Sequence, residues 1–120
     1  VPSLGQVRYY SMMEIASAML GNSSSGLWEA PSFELPTVNV GGRQDGRLRA
    51  ENVIDVVAEE TKYIQDALNR ALSDDFRCNL KGMINPYGDG HAVEQIINVI
   101  HSAPLGSKLL RKRYIDPDEG

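Results

Sequence analysis

The run Gly21-Asn22-Ser23-Ser24-Ser25-Gly26, with Glu29 shortly after it, holds the residue types best suited to chemistry in this chain. An apolar stretch, Ala16 to Leu20, leads into it, and a helix-like segment leads out. A strand that ends in small hydroxyl and glycine residues and then opens a helix suits an anionic phosphate. The first helical N–H groups have no intrahelical partner, and the macrodipole is positive there. Small side chains let a diphosphate reach those donors, and Glu29 can accept hydrogen bonds from sugar hydroxyls. A second cluster, Gly41-Gly42-Arg43-Gln44-Asp45-Gly46-Arg47, follows another strand-like run. The guanidinium groups of Arg43 and Arg47 can hold phosphate oxygens bidentately. In open α/β sheets, ligands bind beyond the carboxyl ends of the strands. If the two strands are neighbours, both loops face one crevice, and together they suit a nucleotide-sugar diphosphate.

Each piece also has a plainer reading. Serine-rich turns commonly cap helices, and an acidic residue such as Glu29 near a helix start favours the dipole. Arg43 and Arg47 also read as solvated loop charges. His101 reads as a dipole partner at a helix C-terminus, and Asp89 as the cap of the same helix. His91 has no acid or metal ligand at a diagnostic spacing. The basic group Lys108, Arg111, Lys112, Arg113 reads as a solvated face. No paired-carboxylate, zinc-ligand, Walker or triad pattern is present.

The elements that must position these residues follow from periodicity. Tyr9, Met12, Met13, Ala16 and Met19 recur at helical spacing, which predicts a helix over about Arg8 to Ser17. A short strand, Met19 to Asn22, follows. Ser23 or Ser24 caps the next helix, which runs toward Phe33 and is short or kinked near Ala30 because Pro31 cannot donate to the carbonyl of Leu27. Strands are expected at Thr37–Val40 and Val53–Val57, with Gly41–Arg47 as a flexible cationic loop. Glu59 to Leu72 reads as an amphipathic helix with Ile64, Ala67, Leu68, Ala71 and Leu72 on one face. Ser73 to Gly82 reads as polar and irregular, and Asn85 to Gly90 as a turn-rich loop. A last helix spans about His91 to His101, with Val93, Ile96, Ile97 and Ile100 on one side, and residues 106–113 add one more turn.

Alternating helices and buried strands predict an α/β layer with a parallel sheet. A doubly wound sheet has about five or six strands, more than can be found here. The chain therefore reads as part of a sheet whose other strands lie upstream, a C-terminal fragment with a polar tail. With 120 residues it fits one compact domain. A net charge of −4 gives no reason to expect a nucleic-acid partner. No apolar run reaches the roughly 18 residues of a membrane helix, so no membrane partner is expected. The one cysteine, Cys78, reads as a passive small residue and suits a reducing, cytoplasmic setting.

Taken together, Gly21 through Ser32 resembles the UDP-N-acetylglucosamine 2-epimerases, most closely the hydrolysing branch that releases N-acetylmannosamine for sialic acid synthesis. Pro36-Thr37-Val38-Asn39-Val40-Gly41, then Arg43-Gln44 and Gly46-Arg47, match at the right distance, and Glu51-Asn52-Val53 and Tyr87-Gly88-Asp89-Gly90 extend the match. The non-hydrolysing branch tends to carry a Ser-Gly-Gly helix start and a Thr-Glu-Arg-Pro loop, which are absent. The resemblance implies a glycosyltransferase-B-like enzyme of two Rossmann-like domains, residues 1–120 being the C-terminal part of the second, UDP-binding domain. It implies that Ser23 and Ser24 bind the diphosphate, that Glu29 binds the uridine ribose, and that Arg43 lies near the diphosphate. With Gly26 these are the expected substrate-binding residues. The acid–base residues are expected upstream, so this polypeptide alone is expected to be inactive. No metal or organic cofactor is implied, and the full-length protein is expected to be a homo-oligomer. A non-hydrolysing UDP-N-acetylglucosamine 2-epimerase, a UDP-binding domain of a glycosyltransferase and a non-catalytic UDP-sugar-binding module remain as other readings.

Overall fold

The computed structural model describes residues 3–57 and 60–110. They fall into two compact units, one through Asp89 and one from Gly90. The first holds a three-stranded parallel sheet, β1 (Met19–Gly21), β2 (Thr37–Val40) and β3 (Val53–Val56), in that spatial order. The register pairs Gly21 with Asn39 and Asn39 with Asp55. The α/β class expected from the alternation of elements is the observed one.

Because strand side chains alternate between faces, Val38, Val40, Ile54 and Val56 share one face. Helix α3 (Thr61–Leu72) covers it with Ala67 and Ala71, while Ile64 and Leu68 pack at the margin. Leu72, expected on this face, is exposed. On the other side, helix α1 (Gln6–Ile15) packs Met13, Tyr9 and Tyr10 against Ala30, Phe33 and Leu35. The helix begins earlier than its apolar spacing suggested, because Gly5 (φ 69°) turns the chain into it. Met12 is exposed and Tyr10 takes its place in the contact face.

Helix α2 is short (Ser25–Trp28) and passes into a 3₁₀ turn, Ala30–Phe33. Pro31 enforces the change, as expected. Glu34 closes that turn in the left-handed region (φ 50°) and accepts a hydrogen bond from the N–H of Gly82 at 2.7 Å.

The polar stretch 73–82, expected to be irregular, contains helix α4 (Asp74–Asn79). Ser73 Oγ accepts from the N–H of Phe76 at 3.3 Å, and Asp74 and Asp75 occupy the first turn. This is an N-cap with a dipole-matched start, so the polar residues here open a helix where an irregular stretch is expected. Cys78 is exposed on α4. Val57, expected to end β3, lies outside it and is exposed.

The second unit contains α5 (Ala92–Ser102) and α6 (Ser107–Leu110). His91, not Asp89, stands at the N-cap of α5, and His91 Nδ1 lies 3.2 Å from Glu94 Oε2. The apolar side of α5, Val93, Ile96, Ile97 and Ile100, is exposed. The expected start of α3 at Glu59, the residues beyond 110 in the last turn, and the polar tail lie outside the described residues. Among the described residues, no helix is long and apolar enough to cross a membrane.

One contact sets the height of α2 over the sheet. A Cβ placed on Gly26 would lie 2.5 Å from Thr37 Cγ2. Gly26→Ala is therefore expected to destabilise the intact protein by about 1–3 kcal/mol through overpacking. Adding Thr37→Ser removes the clashing methyl and should recover most of the loss in chemical denaturation. An equal loss with or without Thr37→Ser would mean that another strain is responsible.

Candidate functional site

The carboxyl ends of β1 and β2 lie side by side, so the turns that follow them are neighbours. The serine turn closes on itself. Ser23 Oγ accepts from the N–H of Ser25 at 3.3 Å, and the Ser23 carbonyl accepts from Gly26 N–H at 3.2 Å. The Ser24 carbonyl accepts from the N–H groups of Leu27 and Trp28, each at 3.0 Å. Ser24 stands at the N-cap, but the side chain that caps is that of Ser23. With only four helical residues, α2 brings a small macrodipole. The N–H groups of Ser25, Gly26, Leu27 and Trp28 have acceptors within the turn, so attraction for an anion there rests chiefly on the serine hydroxyls.

The Gly41–Arg47 segment is more ordered than a flexible loop. Gly41 N–H donates to the Val56 carbonyl at 2.8 Å, and Gly42–Gln44 forms a 3₁₀ turn. Gln44 is buried, and its Nε2 donates to the carbonyl of Asn22 at 2.6 Å. That bond ties the turn after β2 directly to the turn after β1. Arg43 and Asp45, on either side of Gln44, are both exposed. Arg47 does not share that position: its guanidinium carbon lies 5.1 Å from the centre of the Trp28 ring.

A cavity of about 590 Å³ opens between α1 and the serine turn, lined by Gln6, Tyr9, Tyr10, Ser23, Ser25 and Glu29 among others. Its size falls in the range of about 300–1,000 Å³ usual for small-molecule sites. Tyr9 Oη donates to Ser25 Oγ at 2.7 Å, Ser25 Oγ donates to Glu29 Oε2, and Tyr10 Oη donates to Glu29 Oε1 at 3.1 Å. The Glu29 carboxylate is thus held in place by two hydroxyls while it lines the cavity. A carboxylate has about four acceptor sites, so it retains capacity for a hydroxyl-bearing ligand. The tyrosine rings give the cavity apolar faces beside that acceptor.

The structure therefore brings Ser23 and Glu29 to one cavity and sets Arg43 on the adjoining turn. Ser24 stands half-buried at the head of α2, and Gly26 is buried beneath, against Thr37. Residue type gives Ser25 and Gln44 only a place within the serine run and the cationic segment, Tyr9 only an apolar helix position, and Tyr10 no role; their contacts in the fold bring them to the site. Adjacent to the site, Arg49 Nε donates to Asp55 Oδ2 at 2.6 Å, and Asp55 Oδ1 accepts from the buried Asn39 at 2.7 Å. The hydrogen bond to Asp55 raises the pKa of the Arg49 guanidinium above its ordinary value. Among the described residues, no group of three or more His, Cys, Asp or Glu is placed to hold a metal ion.

Comparison with known proteins agrees on one family. Residues 1–101 match the family described as UDP-N-acetylglucosamine 2-epimerase. The chain is 41% identical over 114 residues to the GDP/UDP-N,N′-diacetylbacillosamine 2-epimerase (hydrolyzing) of Campylobacter jejuni, covering 95% of this chain and 29% of that protein. It is 38% identical over 112 residues to the UDP-N,N′-diacetylbacillosamine 2-epimerase (hydrolyzing) of Legionella pneumophila, covering 93% and 28%. It is 35% identical over 92 residues to the polysialic acid biosynthesis protein P7 of Escherichia coli, covering 77% and 23%. The chain thus spans under a third of the length of these relatives.

The link between the two turns is open to test. Gln44→Leu leaves the Asn22 carbonyl without its donor, at an expected cost of about 1–3 kcal/mol. Amide hydrogen exchange should speed up at residues 41–46 and 22–25 together. Faster exchange in only one of the two turns would show that they are not coupled through this bond.

Proposed function

The chain belongs to the UDP-N-acetylglucosamine 2-epimerase family, and on that premise we propose that it is the UDP-binding part of a hydrolysing UDP-amino-sugar 2-epimerase. The observation that carries the reading is the Gln44–Asn22 hydrogen bond. It sets the turn bearing Arg43 against the serine turn at the carboxyl ends of adjacent parallel strands, where an open α/β sheet takes its ligand. Ser23, Ser24 and Arg43 bind the diphosphate, with Gly26 completing the turn, and Glu29 accepts from the ribose hydroxyls. The segment is the latter part of the second of two Rossmann-like domains, and the nucleotide sugar lies between them.

The reaction proceeds in two stages. A base removes the C2 proton as the C1–oxygen bond to UDP breaks, which gives a 2-acetamidoglycal and UDP. Water then adds across the double bond, its oxygen at C1 and a proton at C2, and the freed sugar carries inverted configuration at C2. The leaving diphosphate gains charge in the transition state, so donors already aimed at it lower the barrier as well as hold the substrate. The acid–base groups belong to the upstream part of the protein, so residues 1–120 alone bind without turnover. Neither a metal nor an organic cofactor is required for this chemistry. The full protein works as a homo-oligomer in the cytoplasm, a setting that fits the single, exposed thiol of Cys78. The substrate is UDP-N-acetylglucosamine or the related UDP-N,N′-diacetylbacillosamine named for two relatives. The product enters the synthesis of sialic acid or a related sugar.

Incubating the full-length protein with each UDP-sugar should release UDP and the free C2-epimerised sugar from one of them. Recovery of an intact C2-epimerised UDP-sugar would assign the protein to the non-hydrolysing branch, and binding of UDP without a sugar product would leave only a binding module. In the same protein, Arg43→Ala and Glu29→Ala should each weaken UDP binding by about 1.5–3 kcal/mol, the value of a charge-assisted hydrogen bond, with the fold intact by circular dichroism. Unchanged UDP affinity in both variants would remove the site assignment.

A further inference from the structure

Trp28 stands immediately before Glu29 and is the only tryptophan in the chain. Its side chain is 47% exposed, yet two separate segments, one with Arg47 and one with Asn85 and Tyr87, meet on it. Arg47 packs its guanidinium over the indole at 5.1 Å. Tyr87 brings its ring to 5.9 Å at a tilt of 47°. Asn85 Nδ2 donates to the Trp28 carbonyl and to Ser32 Oγ, each at 2.8 Å. The same segments are also joined to each other, since Tyr87 Oη donates to the Leu48 carbonyl at 2.8 Å. The Arg47 carbonyl accepts from Arg49 Nη1 at 2.7 Å, and Arg49 is in turn fixed to Asp55 on β3.

These contacts give the two arginines of the cationic segment different tasks. Arg47 already has a partner for its charge in the electron-rich indole face. Arg43 lies between the bond from Gly41 N–H to Val56 and the bond from Gln44 to Asn22. Among the described residues, the far end of that segment is held by the Arg47, Leu48 and Arg49 contacts, which include Arg47 N–H to the Gln44 carbonyl at 3.3 Å and Arg49 to Asp45 at 3.6 Å. Losing the indole removes the Arg47 and Tyr87 ring contacts and leaves that end to the Leu48 and Arg49 hydrogen bonds, which loosens the segment that carries Arg43.

We propose that Trp28 is a positioning residue for the diphosphate site, acting through Arg43: with Arg47 and Tyr87 it clamps the segment after β2 so that Arg43 faces the serine turn, and Arg47 is part of the clamp and not a phosphate ligand. This rests on the UDP reading given above. The clamp fixes a geometry before the ligand arrives, and ordering a cation in advance lowers the cost of binding.

A double-mutant cycle on the full-length protein tests it, read as the Kd for UDP by calorimetry. Trp28→Ala should raise Kd about three- to tenfold, and Trp28→Phe, which keeps an aromatic face, should restore most of the loss. In the Arg43→Ala background, Trp28→Ala should change Kd by less than about twofold, because there is no longer a guanidinium to position. Arg47→Gln should reproduce the Trp28→Ala result in both backgrounds, and it serves in the cycle should Trp28→Ala fail to fold. An equal loss from Trp28→Ala with and without Arg43 would overturn the proposal. So would a loss from Arg47→Gln that persists after Trp28→Ala, which would make Arg47 a direct ligand. If the wild-type protein does not bind UDP, or if Arg43→Ala leaves Kd unchanged, the UDP reading itself falls and the clamp falls with it.

Discussion

Asn52 is fully buried, and its Nδ2 faces three acceptors: the carbonyls of Gly26 and Leu35, at 3.2 and 2.9 Å, and Thr37 Oγ1 at 3.3 Å. Its backbone carbonyl accepts from the N–H of Thr37 at 2.8 Å. One side chain therefore joins the turn before β3 to α2, to the approach to β2 and to β2 itself. Each acceptor left unmatched in such a site costs about 1–3 kcal/mol, so the amide specifies this arrangement over others. Gly26 makes the approach close enough for Asn52 to reach, since any side chain there would meet Thr37. The position of Ser23, Ser25 and Glu29 over the sheet follows from that packing.

A second buried amide does for the neighbouring turn what Asn52 does for α2. Gln44 carries no charge and is buried, and the residue before it, Arg43, is exposed. The parallel register already places Gly21 beside Asn39, so the two turns leave the sheet together, and Gln44 closes the remaining gap to Asn22. The amide nitrogens of Gln44 and Asn52 are bonded, whereas Gln44 Oε1 and Asn52 Oδ1 have no hydrogen-bond partner among the described residues, so the two amides fix position more than they add stability. The chain thus combines an apolar α3 face that holds the sheet together with a polar opposite face that fixes loop positions.

Much of this was legible from local pattern. The strands Thr37–Val40 and Val53–Val56, the helices α1, α3 and α5 and the break at Pro31 all follow from spacing and from proline geometry. Helix α4 was missed because its polar composition outweighed the capping signal of Ser73-Asp74-Asp75. The exchange of Met12 for Tyr10 on the inner face of α1 was missed because helical spacing admits both, and only the polar group opposite, Glu29, favours the tyrosine.

The candidate site divides in the same way. Residue types alone marked the serine turn, Glu29 and the arginine-bearing segment, because small residues, a carboxylate and guanidinium groups have distinct chemistry wherever they fall. The sequence also determined the α/β class and the element order, since side-chain periods of about 2 and 3.6 residues are local properties of the backbone. Only the tertiary structure decided that Asn52 and Gln44 are buried, that Tyr9 and Tyr10 hold Ser25 and Glu29, and that Arg47 rests on Trp28. Each of those contacts joins residues well separated along the chain, and whether a polar side chain is buried depends on which distant groups stand ready to satisfy it.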